Sequence, residues 1–195
     1  VDAMKALLTK YASIAEGGAD GVRVQIVSFA SGATLDSATP ETIAVAIAHL
    51  DAIAAAGSGG MTNYDAAVAQ ATTGMAAWTT ATADHENVVY FVSDGEPNDG
   101  VIDDGEENAW EDTLDGVGAT AWAIGVGASA SGPDLADIAY PDSQVVRVDD
   151  FDDLLDGLIG TITPETVTGN VMTNDLPGAD GAEVTAVSYI DADGK

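Results

Sequence analysis

The chain has no cysteine and, in 195 residues, only five basic side chains: Lys5, Lys10, Arg23, Arg147 and Lys195. Without thiols there is neither a disulfide framework nor a thiolate metal site. The five cations face 33 carboxylates, for a formal charge of -28. A surface charged in this way repels nucleic acid and anionic membranes, so polyanionic partners are not expected. Imidazole is scarce too: only His49 and His85 could act as bases, both read as surface or packing residues, and no nucleophile can be placed beside a base. The glycine stretch at 57–60 lacks the lysine of a phosphate-binding loop, and no glycine fingerprint leads from a strand into a helix. No apolar run approaches the roughly 20 residues of a membrane span, and no signal peptide opens the chain. Val1 stands inside a helical pattern without a start methionine.

What is present is apolar and acidic. Hydrophobic residues make up 46% of the chain, enough for one full core with a small appendage. Crowded carboxylates must be screened or neutralised for the compact state to persist, which suits a saline medium or divalent cations, calcium above all.

The pattern along the chain alternates between helix and strand. Met4, Leu7, Leu8, Tyr11 and Ile14 recur at helical spacing before Gly17-Gly18. Residues 23–29 read as a strand, with a weaker one near Thr34-Leu35. A second helix is expected from Thr39 as N-cap and Pro40 at the first helical position, with Ile43, Val45, Ile47, Leu50 and Ile53 as its buried stripe. A small-residue loop at 54–60 leads to Met61-Thr62-Asn63-Tyr64 and a third helix over 66–77. Val88, Val89, Tyr90, Phe91 and Val92 form an unbroken apolar run, expected to be a strand buried on both faces. A short helix around 106–114, a strand over 119–127, a helix over 133–139, a strand over 144–148 and a helix over 151–162 complete the series. Such alternation predicts an α/β, three-layer fold with a mostly parallel central sheet of at least four strands.

From Thr163 the texture changes to strand-like alternation with turn signals at Asn174-Asp175 and 178–181. Residues 163–195 therefore read as the start of an all-β module that pairs with something beyond itself, after a domain over 1–162.

Oxygen donors dominate the candidate chemistry. Asp94 follows the apolar strand directly, and ligands in open α/β sheets bind beyond the carboxyl ends of the strands. Thr62 lies at a loop-to-helix junction. Each also has a plainer reading, Asp94-Gly95 as a turn dipeptide and Thr62 as a helix N-cap. A hydroxyl and a carboxylate from separate loops suit a hard cation, which takes its remaining oxygens from water or a partner's carboxylate. Asp175, Asp180, Asp191 and Asp193 are further calcium-ligand candidates or surface turn carboxylates. The acidic run 99–107 does not match the spacing of an EF-hand loop.

Three stretches together, G-G-M-T-N-Y-D-A-A-V (59–68), F-V-S-D-G-E-P-N (91–98) and A-W-A-I-G-V-G (121–127), resemble a von Willebrand factor type A domain. The order of elements over 1–162 is similar to that family's from its first helix to its last. The resemblance implies a Rossmann-like fold and a metal-ion-dependent adhesion site, built from a D-x-S-x-S loop, a threonine and an aspartate. Thr62 and Asp94 match the second and third parts. The D-x-S-x-S part and its strand are absent from the sequence and are expected just upstream of Val1.

The stretch V-T-G-N-V-M-T-N-D-L-P-G-A-D-G (167–181) is similar to the start of Ig-like or cadherin-like modules in giant bacterial RTX-type adhesins. The two resemblances imply a secreted, non-enzymatic domain of a cell-surface adhesin. Its divalent ion (Mg²⁺, Ca²⁺ or Mn²⁺) would meet an acidic group on a protein or glycan ligand, with structural Ca²⁺ elsewhere and neighbouring adhesin domains as further partners. A spacer role and, more remotely, a metal-assisted hydrolase using Asp94 and Glu96 are the alternatives.

Overall fold

The computed structural model describes residues 1–15, 17–57, 59–82, 85–130 and 133–162. The expected module at 163–195, with Asp175, Asp180, Asp191 and Asp193, lies outside them. Val1–Thr161 forms one compact unit. In chain order it contains α1 (Asp2–Ile14), β1 (Val27–Phe29), β2 (Ala33–Leu35), α2 (Ile43–Ala56), α3 (Tyr64–Met75), β3 (Asn87–Ser93), α4 (Asp104–Val117), β4 (Ala119–Val126), β5 (Val145–Val148) and α5 (Leu154–Gly160).

The layout is the α/β, Rossmann-like one, but the sheet is not one continuous ladder. β3, β4 and β5 form a parallel sheet in that order, with Asn87 opposite Ala119 and Ala123 opposite Val145. β1 and β2 form a separate antiparallel hairpin, Val27 opposite Leu35. Among the described residues, the free edges of β1 and β3 have no strand partner. Burial records the consequence. β4, flanked on both sides, is buried at most positions, whereas β3 is half-buried everywhere except Phe91 and Ser93. The apolar run 88–92 is thus not the doubly covered strand its composition predicts, because one of its edges is open.

Two other expectations are corrected. The second helix begins at Ile43 with Thr42 as N-cap, not at Pro40. The peptide of Glu41 is taken up in a bridge in which Val24 and Glu41 exchange both N–H···O=C bonds, at 2.8 and 2.7 Å. A residue committed to that pairing cannot enter a helix. The helix expected over 133–139 reduces to a single 3₁₀ turn, Pro133–Leu135.

The core lies between the parallel sheet and the pair α3 and α4. Ala119, Ala121 and Ala123 of β4 share one buried cluster with Tyr64, Trp110 and Leu114, small side chains on the strand leaving room for large ones on the helices. Trp110 is 2% exposed and its Nε1 donates to the Ile138 carbonyl at 2.9 Å, which satisfies the indole's polar atom. A second cluster, Leu8, Ile43, Ala46 and Leu50, joins α1 to α2. On that side Tyr11, Tyr90 and Thr161 form a chain of hydroxyls, with O···O distances of 2.7 and 2.9 Å, that ends at the Leu158 carbonyl.

Leu114 is fully buried, so Leu114→Ala should destabilise the domain by roughly 2–5 kcal/mol through lost burial and a cavity. Urea unfolding followed by tryptophan fluorescence measures it; a cost under about 1 kcal/mol would mean that the helix packs elsewhere.

Candidate functional site

Three loops meet at the carboxyl end of β3. The middle one, residues 61–63, enters α3 with Asn63 as N-cap, its Oδ1 accepting from Ala66 N at 2.7 Å. The cap is therefore Asn63, and the N-cap reading of Thr62 falls away.

On one side, this loop is fastened to the turn between β1 and β2. Asn63 N donates to the Ala30 carbonyl at 2.9 Å, and Met61 N to Ser31 Oγ at 3.0 Å. On the other side it is fastened to the loop after β3. Asn98 receives Thr62 N on its Oδ1 at 2.8 Å and returns its own N–H to the Thr62 carbonyl at 2.9 Å, while Asp99 N reaches the same carbonyl at 3.2 Å. Tyr64 N donates to the Gly100 carbonyl at 2.9 Å, and Tyr64 Oη to the Gly95 carbonyl at 2.7 Å. Both backbone groups of Thr62 are thus occupied. An ideal methyl group on Gly95 would lie 3.1 Å from Thr62 Oγ1, so the hydroxyl stands against the residue that follows Asp94. The threonine and the aspartate loop, 32 residues apart in sequence, share one rim of the sheet.

Below them, Phe29, Tyr64 and Phe91 make an aromatic floor. Phe29 and Phe91 stack with ring centroids 5.0 Å apart, and Tyr64 meets Phe91 edge-on at 4.8 Å. Burial, and then the negative charges of Asp134, Asp94 and Glu96, raise the Tyr64 phenol above its ordinary value against the lowering effect of Ser93. It therefore remains a protonated donor at neutral pH.

The acidic run after the site has a structural task. Asp103 Oδ1 accepts from Gly105 N and Glu106 N, and Glu106 Oε2 accepts from Asp103 N, a capping box that starts α4. Among the described residues there is no group of three or more His, Cys, Asp or Glu side chains placed to hold a metal. His49 lies 3.3 Å from Glu41 through Nδ1 and lines a cleft with Ala30 and Gly32 of the turn between β1 and β2, and His85 pairs its backbone with Thr82.

The comparisons agree with this architecture. The family model of the von Willebrand factor type A domain matches residues 1–160. The chain belongs to that family. Among curated proteins no sequence matches it. Proximal thread matrix protein 1 of the mussel byssus is similar in structure, with 19% identity and a TM-score of 0.60 over 81% of this chain and 41% of that one. A form of the same mussel protein described as having a zinc-occupied MIDAS motif gives 19% identity and a TM-score of 0.55, with the same coverage. These likenesses show the fold, and this type A chain spans less than half the length of the mussel protein.

Asn98, Tyr64 and Ser31 were not singled out from the sequence. Asn63 carried a legible signal, an asparagine before a helical pattern, whereas Asn98 and Ser31 act across 36 and 30 residues of chain.

Two predictions follow from this geometry. A methyl group on Gly100 would run into the Asn63 side chain, whereas one on Gly116, in the last turns of α4, meets nothing within 4 Å. Gly116→Ala should therefore stabilise by about 0.4–1 kcal/mol, and Gly100→Ala should destabilise and displace the α3 cap; thermal unfolding of both variants decides.

The second concerns pH. Loss of hydration, then Asp137, Glu111, Asp104 and Asp142, hold Glu107 above the usual carboxylate range. Loss of hydration, then Asp134 and Asp104, do the same for Asp137. A carboxyl raised in the folded state retains protons that the unfolded chain releases, so stability falls as pH rises through that interval and the loss is complete above it. Glu107→Gln and Asp137→Asn should raise the melting temperature at neutral pH and leave it unchanged near about pH 3, where both states are protonated. Equal gains at both pH values would contradict this.

Proposed function

We propose that this type A domain is a non-enzymatic ligand-binding module of a large, secreted bacterial cell-surface adhesin, and that Thr62 and Asp94 hold a divalent cation, Mg²⁺, Ca²⁺ or Mn²⁺. The observation that carries this reading is the placement of the Thr62 hydroxyl against the Asp94-Gly95 peptide at the carboxyl end of β3. Because both backbone groups of Thr62 are hydrogen-bonded within the protein, its hydroxyl is the atom left to serve a ligand. Hydroxyl and carboxylate are hard oxygen donors, which suits these ions.

Two side chains do not complete a six-coordinate shell. The further donors would come from water and from an acidic group on a protein or glycan partner. When bound, the cation supplies positive charge that a partner carboxylate can share. The similarity to a mussel protein with a zinc-occupied MIDAS motif supports metal dependence. The acidic, cysteine-free composition supports the RTX-type context. In that context residues 163–195 would open an Ig-like or cadherin-like module, with additional structural Ca²⁺ at Asp175, Asp180, Asp191 or Asp193.

A spacer role within the adhesin is the second reading, favoured by the absence, among the described residues, of any larger cluster of metal-holding side chains.

Titration of the chain with Mn²⁺, followed by calorimetry, separates the two. A direct ligand should matter at least as much as an outer-shell residue, so Asp94→Ala should weaken Mn²⁺ binding by roughly 10–100-fold or more. Unchanged affinity in a variant whose circular dichroism is native would leave the spacer reading.

A further inference from the structure

A cleft of about 440 Å³ lies between the β1–β2 hairpin and the latter half of α2. Ser28, Thr34 and Asp36 line it from the hairpin, and His49, Ile53 and Ala56 line it from the helix. Neither Thr62 nor Asp94 takes part. Its volume falls in the range of small-ligand sites, roughly 300–1,000 Å³.

Two of its polar groups have fixed orientations. Glu41 is anchored by its two-way bond to Val24, and its Oε2 stands 3.3 Å from His49 Nδ1. Both atoms are shut off from solvent, and neither is hydrogen-bonded elsewhere among the described residues. A carboxylate beside Nδ1 favours the neutral tautomer that carries its proton there, which makes Nε2 an acceptor. Because Nδ1 is inaccessible while 35% of the His49 side chain is exposed, the outward edge of the ring is the one that carries Nε2. Asp36 accepts Ser28 N on Oδ2 at 2.8 Å, which leaves Oδ1 for a ligand.

The balance of donors and acceptors decides what fits. An imidazole Nε2 and a carboxylate both accept, and the described lining has no lysine or arginine. An anion would meet Asp36 with nothing to offset the repulsion. A metal ion would find fewer than the three or four protein ligands that hold one firmly. Ile53 and Ala56 add an apolar wall. An ammonium on an apolar stem, with three donors and a positive charge, matches every one of these features.

We infer that this cleft is a second binding site, independent of the cation reading above, and that it takes a primary ammonium on an apolar stem, either of a small amine or of a lysine side chain in a partner polypeptide. Asp36 supplies the opposite charge, His49 a further acceptor, and Ile53 with Ala56 the surface along which the stem lies.

Nuclear magnetic resonance of the isotope-labelled chain tests this with phenethylamine, and with phenethyl alcohol and hydrocinnamate as neutral and anionic probes of similar shape. The amide signals of Gly32, Ala52, Ile53 and Gly57 should shift saturably with the amine, roughly tenfold more weakly with the alcohol and not at all with the anion. Asp36→Asn keeps an oxygen for Ser28 N and should weaken the amine roughly tenfold. Ala56→Trp, at an exposed position on the cleft wall, should block the same shifts with both polar groups intact. A hexapeptide with one lysine between leucines, beside its lysine-acetylated form, identifies the source. The same shifts from the unacetylated peptide alone mean a polypeptide lysine; no shifts from either, with the amine still bound, mean a small amine.

Amine shifts spread evenly over the acidic surface, or unchanged in Asp36→Asn or in Ala56→Trp, overturn the inference. So do equal shifts from hydrocinnamate or from the acetylated peptide.

Discussion

The structure depends on one short loop, residues 61–64, that is hydrogen-bonded on both of its sides. Toward the hairpin it donates to Ala30 and Ser31; toward the parallel sheet it is paired with Gly95, Asn98, Asp99 and Gly100. These bonds tie together two sheets that share no ladder among the described residues. Each neutral bond contributes only about 0.5–1.5 kcal/mol net, but together they fix the peptide of Thr62 from both directions. The site is therefore held by backbone groups together with the Ser31, Asn98 and Tyr64 side chains, and the Thr62 and Asp94 side chains need not hold it.

The open edges of β1 and β3 have the opposite character. Among the described residues one edge of the seven-residue β3 has no strand partner, an arrangement that invites pairing with another segment, and the half-burial of β3 records it. The aromatic group of Phe29, Phe91 and Tyr64 partly closes the opening at the carboxyl end by stacking across it. The hydrogen bonds of the 61–64 loop thus tie the two sheets together where the candidate site lies, and among the described residues no strand fills the rest of the interval between them.

The legibility of this fold in its sequence follows from the range of each interaction. The helices and the strands of the parallel sheet were readable because their apolar residues repeat locally, as in 88–92 and 119–127. The start of α2 was misplaced because Glu41 is claimed by Val24, 17 positions earlier, and no local pattern announces that. The break between the hairpin and the parallel sheet is likewise a matter of which edges find partners, not of composition. At the site, Thr62 and Asp94 stood out through the family's motif, but their approach depends on Asn98, whose role is set by a contact across 36 residues. The acidic run beside them, whose spacing does not match an EF-hand loop, is partly spent on capping α4.

The row of hydroxyls joining α1, β3 and α5 has a direction. Its last acceptor, the Leu158 carbonyl, has no proton to give, so Thr161 must donate to it, Tyr90 must donate to Thr161, and Tyr11 must donate to Tyr90. Burial, reinforced by that last bond, keeps the Tyr11 phenol protonated well beyond its ordinary range. The three groups form a one-way file in which every O–H dipole is aligned with the next, so turning any one of them requires reversing its neighbours. The first and last helices of the domain are thereby coupled to β3, the half-buried edge strand of the parallel sheet, by a polar thread that has a single orientation.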